Sequence, residues 1–107
     1  MQLVPLQAVP NQLIDITVGS QPMVVKVYQK LYGLFFDLAF QNGSTVIAGV
    51  LCQNLNRLVR YKYLGFTGDF IFADAVGDAD PGWTGLGGRF ELLYLTADDL
   101  DVLGLDA

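Results

Sequence analysis

The sequence predicts an all-β fold: a small antiparallel β-sandwich or barrel of about six to seven strands with a short C-terminal helix or arm. Three observations carry this reading. Apolar residues recur with period two, turn formers interrupt the pattern about every eight to twelve residues, and an Asn42-Gly43 pair separates two such runs. At 107 residues the chain is read as a single β domain over 1–107, large enough for one core.

The elements follow in order. Residues 1–11, punctuated by Pro5 and Pro10, read as an N-terminal arm. A strand near 12–18 places Ile14, Ile16 and Val18 on one face, and Gly19-Ser20-Gln21-Pro22 turns the chain. In the next strand, near 23–30, Met23, Val25 and Val27 alternate with Val24, Lys26 and Tyr28, so the second face is at least partly wet. A loop through Tyr32-Gly33 leads to residues 34–41, where Leu34, Phe36, Leu38 and Phe40 point one way. Asn42-Gly43 predicts a type I′ turn, with positive φ at both central positions.

The return strand, near 45–52, is apolar on both faces, Ile47 and Leu51 against Val46 and Val50. That pattern predicts a central strand or one covered by a partner. Over 53–63, Leu55, Leu58 and Val59 fit a helical turn while Val59, Tyr61 and Tyr63 alternate; a loop entering a strand is expected. Strands near 66–74 and 88–95 flank a glycine-rich loop. The acidic tail, 96–107, has Thr96 as a helix N-cap, Asp98 and Asp99 at the positive end of the dipole, and Gly104 as a stop.

Composition bounds the function. Hydrophobic residues make up 52% and charged residues 16%, with mean hydropathy +0.40. Average chains carry about 25% charged residues. The apolar excess points to surfaces covered by other subunits. The longest nearly uninterrupted apolar run, 46–52, falls short of the roughly 20 residues of a spanning helix, so no transmembrane segment is expected. The proline-containing N-terminus lacks a signal-peptide pattern, and the protein is expected to stay where it is made. Net charge is −5 and the basic residues cluster only at Arg57, Arg60 and Lys62, which argues against direct nucleic-acid readout. The lone Cys52 reads as a buried strand thiol or, alternatively, as an intermolecular one.

Histidine is absent, which removes Ser-His-Asp and Cys-His nucleophiles and the commonest metal ligand. No cofactor motif is present: Gly85-Leu-Gly-Gly lacks the Lys-Ser/Thr of a phosphate loop and enters a strand. Paired carboxylates among Asp69, Asp74, Asp78, Asp80 and Glu91 are the remaining catalytic option. Asp74, Asp78 and Asp80 lie close enough in sequence for calcium, although the spacing fits no helix-loop-helix site and Pro81 occupies a ligand position. The other reading makes these acids turn builders, with an ion pair to Arg89. Gly77, Gly82, Gly85, Gly87 and Gly88 indicate a tightly specified loop, in which Trp83 either covers the core edge or anchors a partner. A calcium- or carbohydrate-binding β module using loop 74–88 and the tyrosines is the alternative to a structural role.

The order and spacing of several segments carry a resemblance. They are Pro5-Leu-Gln-Ala-Val-Pro-Asn-Gln, Val27-Tyr-Gln, Gly33-Leu-Phe-Phe-Asp-Leu, Gly49-Val-Leu-Cys and Leu58-Val-Arg, followed by Gly65-Phe-Thr-Gly-Asp-Phe-Ile-Phe-Ala-Asp. Gly77-Asp-Ala-Asp-Pro running on to Gly85-Leu-Gly-Gly-Arg is the most specific part. Over nearly its whole length the chain resembles the small baseplate plug proteins of contractile-tailed bacteriophages. It departs at Leu31-Tyr32, apolar where a polar turn is expected. The resemblance implies a non-enzymatic virion protein, made in the host cytoplasm and lodged in the tail baseplate. It further implies hub, spike and tube proteins as partners, and a symmetric homo-oligomer on a threefold or sixfold axis.

Overall fold

The computed structural model describes residues 2–60 and 66–103. It contains seven strands: β1 (Gln2–Val4), β2 (Asn11–Val18), β3 (Gln21–Lys30), β4 (Gly33–Phe40), β5 (Thr45–Leu51), β6 (Asp69–Asp74) and β7 (Phe90–Leu95). Helix α1 (Ala97–Val102) follows. The strands form two antiparallel sheets, one ordered β2-β3-β4-β5 and the other β1-β7-β6. They pack as a sandwich, and no barrel closes among the described residues. The expected strand positions at Tyr61 and Tyr63, and the Gly104 stop, lie outside the described residues.

Alternation decides which side chains enter the core. Met23, Val25 and Val27 of β3 and Leu34, Phe36 and Leu38 of β4 are buried, with Ile14 and Ile16 packed half-buried beside them. Phe70 and Phe72 of β6 and Leu92 and Tyr94 of β7 face them from the other sheet. The Phe36 and Phe70 rings meet across the layers at 5.4 Å, and Tyr94 contacts Phe70 edge-on at 5.3 Å. Such pairs contribute roughly 0.5–1.5 kcal/mol each beyond their buried area. Helix α1 lays Leu100 against Ile71 and Leu95 on the outer face of the smaller sheet. Its start is a capping box: Thr96 Oγ1 accepts from Asp99 N–H, and Asp99 Oδ2 accepts from Thr96 N–H.

Three sequence expectations change. The first concerns the hairpins. The two-residue turn with positive φ at both centres is Gly19-Ser20 (φ 54° and 65°), closing β2 onto β3 with Val18 opposite Gln21. At Asn42-Gly43 only Gly43 has positive φ, at 97°. There Gly43 N–H donates to Phe40 O, and Asn42 Oδ1 accepts from Ser44 N–H, in a longer four-residue loop. The second is β5, which is an edge strand and so not the central strand of its first reading. Register shifts around Leu38 explain its apolar residues on both faces, because each extra residue inverts the in-out alternation. Gly49 supplies φ 70°, and its N–H is held by Asp37 Oδ1 at 2.7 Å. The third is the arm, whose residues 2–4 form β1 along β7, with Val4 opposite Leu92.

The two sheets are joined by polar contacts at both ends. Gln21 accepts from Thr67 N–H at 2.9 Å and donates to Thr67 O at 3.1 Å, while Tyr94 Oη donates to the same carbonyl at 2.6 Å. At the other end Gln29 Oε1 accepts from Trp83 N–H. Between them, the fully buried Asp69 accepts from Arg57 Nε, Val59 N–H and Arg60 N–H at 2.8–2.9 Å. This fixes the segment before β6 along its edge, with Leu58 N–H donating to Phe70 O and Leu55 N–H to Phe72 O. Asp69→Ala removes the acceptor shared by the Arg57 guanidinium and the Val59, Arg60 and Phe70 backbone N–H groups. It is expected to lower the unfolding free energy by about 3–5 kcal/mol in urea titration. A change near zero would remove Asp69 from the support of the fold.

Candidate functional site

The loop between β6 and β7 is assembled from short polar contacts. Arg89 donates to Asp74 through Nε and Nη2, both at 2.8 Å, a two-pronged carboxylate pair. The remaining acceptor positions of Asp74 take Val76 N–H and Ala79 N–H, each at 2.9 Å. Its side chain is fully shielded although Arg89 is exposed. The Arg89 contact, with the backbone donors, holds the Asp74 carboxyl well below the usual carboxylate range. Arg89 also lies over the Phe90 ring, 5.1 Å from its centre.

Asn54, from the other side of β6, stitches this loop down. Its Oδ1 accepts from Asp74 N–H and its own N–H donates to Asp80 Oδ1, both at 3.0 Å. Gly87, with φ 77°, sits where a Cβ would strike Leu6 O, so the loop and the N-terminal segment approach more closely than any other residue allows. Trp83 opens a single 3-10 turn, Trp83–Gly85, and packs half-buried against the core.

The structure therefore brings Asp74 and Arg89 together, ties Asp80 to Asn54, and leaves Asp78 exposed. No three acids converge to hold a metal among the described residues. A groove of about 280 Å³ between β5 and residues 58–60, lined by Ile47, Val50, Leu51, Leu58 and Arg60, contains no carboxylate in its lining. Cys52 is buried beyond β5, with its N–H bonded to Leu34 O, and burial drives its thiol pKa far up. This geometry fits the buried-thiol reading within the subunit.

Sequence reasoning missed the roles of Asn54, Gln21, Asp37 and Asp69. Asp37 Oδ1 accepts from both Gly49 N–H and Tyr28 Oη–H, and burial together with this bond raises the Tyr28 pKa. No local signal marks these roles, because the contacts that define them, such as Tyr28–Asp37, Asn54–Asp74 and Gln21–Thr67, join residues 9, 20 and 46 positions apart.

The lowered Asp74 pKa sets a pH dependence. Its stabilising contribution is complete above the ordinary carboxylate value of 3.8 and drains as pH falls toward the depressed folded-state value. Asp74→Asn is thus expected to flatten the loss of melting temperature between about pH 4 and about pH 2; parallel acid limbs would contradict the pairing. Calcium is expected to leave the melting temperature unchanged. A rise abolished by Asp78→Ala and Asp80→Ala would restore the metal reading.

The chain matches the family model described as "Cyanophage baseplate Pam3 plug gp18" over residues 1–98. No curated protein matches it. The matched region takes in all seven described strands and the whole Asp74–Arg89 loop. By that match the chain belongs to the cyanophage baseplate plug family, structural components of the phage tail baseplate in the virion.

Proposed function

We propose that this protein acts without catalysis, as a plug that closes or stabilises the central hub-spike region of the baseplate through protein-protein contacts. The observation that carries the reading is the family match over residues 1–98. The architecture supports it. The Asp74 and Arg89 side chains that would serve a ligand site are engaged in holding their own loop, and Asp80 ties that loop to Asn54.

Partners of this kind are other baseplate hub, spike and tube proteins, with several copies arranged on a threefold or sixfold axis. The apolar surface is consistent with such packing: Leu13, Leu31, Tyr32, Leu55 and Val76 are exposed in the isolated chain. Mass spectrometry of purified tails, with and without reductant, tests the proposal. The chain is expected in stoichiometric, low copy number and as a non-crosslinked species. Its absence from intact tails would defeat the plug reading, and a reductant-sensitive dimer would show that Cys52 escapes its burial.

A further inference from the structure

Among the described residues the two sheets end in four edges, and three of them offer little to a further strand. β5 is bent by its register shifts, and the outer edge of β6 is paired with the segment carrying Leu55 and Leu58. β1 is only three residues long. The fourth edge is β2, eight residues in unbroken antiparallel register with β3, without a proline or a lysine in it. A long, regular edge of this kind accepts another strand unless something covers it.

The register fixes which backbone groups remain open. Val18 and Gln21 close the two-residue turn, and one pair beyond Asn11 and Tyr28 the Gln29 N–H donates to Pro10 O. The even-numbered residues of β2 therefore bond to β3, and alternation turns the N–H and C=O groups of Asn11, Leu13, Asp15 and Thr17 outward. Gln2 Nε2 occupies Thr17 O at 3.1 Å, whereas those of Leu13 and Asp15 meet no partner among the described residues. On the inner face Ile14 and Ile16 pack against the core but stay half-buried, so an apolar flank borders the same edge. On the outer face Asp15 is exposed, is the only charged residue of β2 and makes no ion pair among the described residues. Lys26, diagonal to it on β3, stands opposite Asp37 and over the Tyr28 ring. The Asp15 carboxylate is thus the excess charge at this edge.

We infer that β2 receives an extended segment of a different, neighbouring baseplate protein, added as a fifth strand of the larger sheet. The open N–H and C=O groups call for an extended backbone. The half-buried isoleucines call for apolar residues on its inner face, and Asp15 for a lysine or arginine opposite it on the outer face. A second copy of this chain lacks such a segment. Pairing β2 with β2 brings no cation from either strand and sets both Asp15 side chains on one face of the joined sheet. The other edges of a second copy are the bulged, the covered and the short one. The inference rests on the reading that the chain works through protein contacts, and it names the surface and the chemistry that fits it.

Titration of the nitrogen-15-labelled full chain with two synthetic peptides, followed by NMR, tests the edge. One peptide is Thr-Val-Thr-Val-Lys-Val-Thr-Val-Thr, and the other carries Glu in place of Lys. The lysine peptide is expected to shift the Leu13 and Asp15 amides and slow their exchange, and to bind about threefold more tightly than the glutamate peptide. The Ile14 and Ile16 amides, already bonded to β3, are expected to keep their protection. Asp15→Lys is expected to reverse the preference between the peptides. Leu13→Pro removes an N–H that faces the open side, so it is expected to leave the fold intact and abolish binding. Asp15→Lys remains readable if the proline disturbs the strand. Shifts that avoid β2, no shift at all, or equal binding of both peptides would overturn the inference. Protection of the Leu13 and Asp15 amides that grows with protein concentration alone would assign the edge to a second copy and overturn it as well. The plug reading is decided separately, by the presence of the chain in purified tails.

Discussion

The buried carboxylate of Asp69 is the constraint on which the rest of the sandwich depends. A charge without solvent is costly unless it is paired and hydrogen-bonded, and Asp69 meets that condition through Arg57 and backbone N–H groups. Meeting it forces residues 57–60 to fold back over the start of β6, with Arg60 at φ 70°. That turn carries Leu58 and Val59 into the core and pairs the chain with the outer edge of β6. Without it, the strand bearing Phe70 and Phe72 has a free edge and an uncovered flank.

Edges are handled differently on the other sheet. β5 ends the four-stranded layer, and its register shifts bend it out of a regular ladder, which blunts its capacity to pair with another chain. Asp37 secures the bulge by accepting from Gly49 N–H, and the same oxygen receives the Tyr28 hydroxyl. Two carboxylates thus perform parallel tasks, one inside the smaller sheet and one on the outer face of the larger. Each replaces backbone partners that an irregular strand cannot supply.

What was legible in the sequence was whatever depends on local periodicity. The β2, β3, β4, β6 and β7 strands and the Thr96 cap follow from neighbours a few residues apart, and the Arg89 pairing with the Asp-rich loop, 15 positions from Asp74, was legible because both ends belong to one glycine-rich connection. What was hidden depends on three-dimensional placement. The apolar pattern of β5 is equally suited to a central strand and to a bulged edge strand. Asn42-Gly43 resembles the commonest tight turn, yet the loop was set by Ser44 and Phe40 closing around it, while Gly19-Ser20 took the double positive φ. The Asp-rich loop looked like a ligand site because acids, glycines and Trp83 crowd together in sequence. In space Asp74 is saturated by Arg89 and two backbone donors.

That saturation bears on how a plug achieves specificity. A catalytic or metal site keeps polar groups unsatisfied until its ligand arrives, whereas here the loop satisfies Asp74 internally and Asp80 accepts from Asn54 N–H outside it. A structural component has the reverse requirement: rigid loops whose polar atoms are already matched, and recognition left to what projects from them. Here the projecting groups are apolar hairpin and helix ends accompanied by the exposed Lys30 or by exposed aspartates. Apolar ends supply area that favours association with any covered surface, whereas the accompanying charges restrict which surface is accepted. The low charge content of the chain sharpens that division, because with few charges on the surface each one that remains unpaired carries more of the discrimination between neighbours.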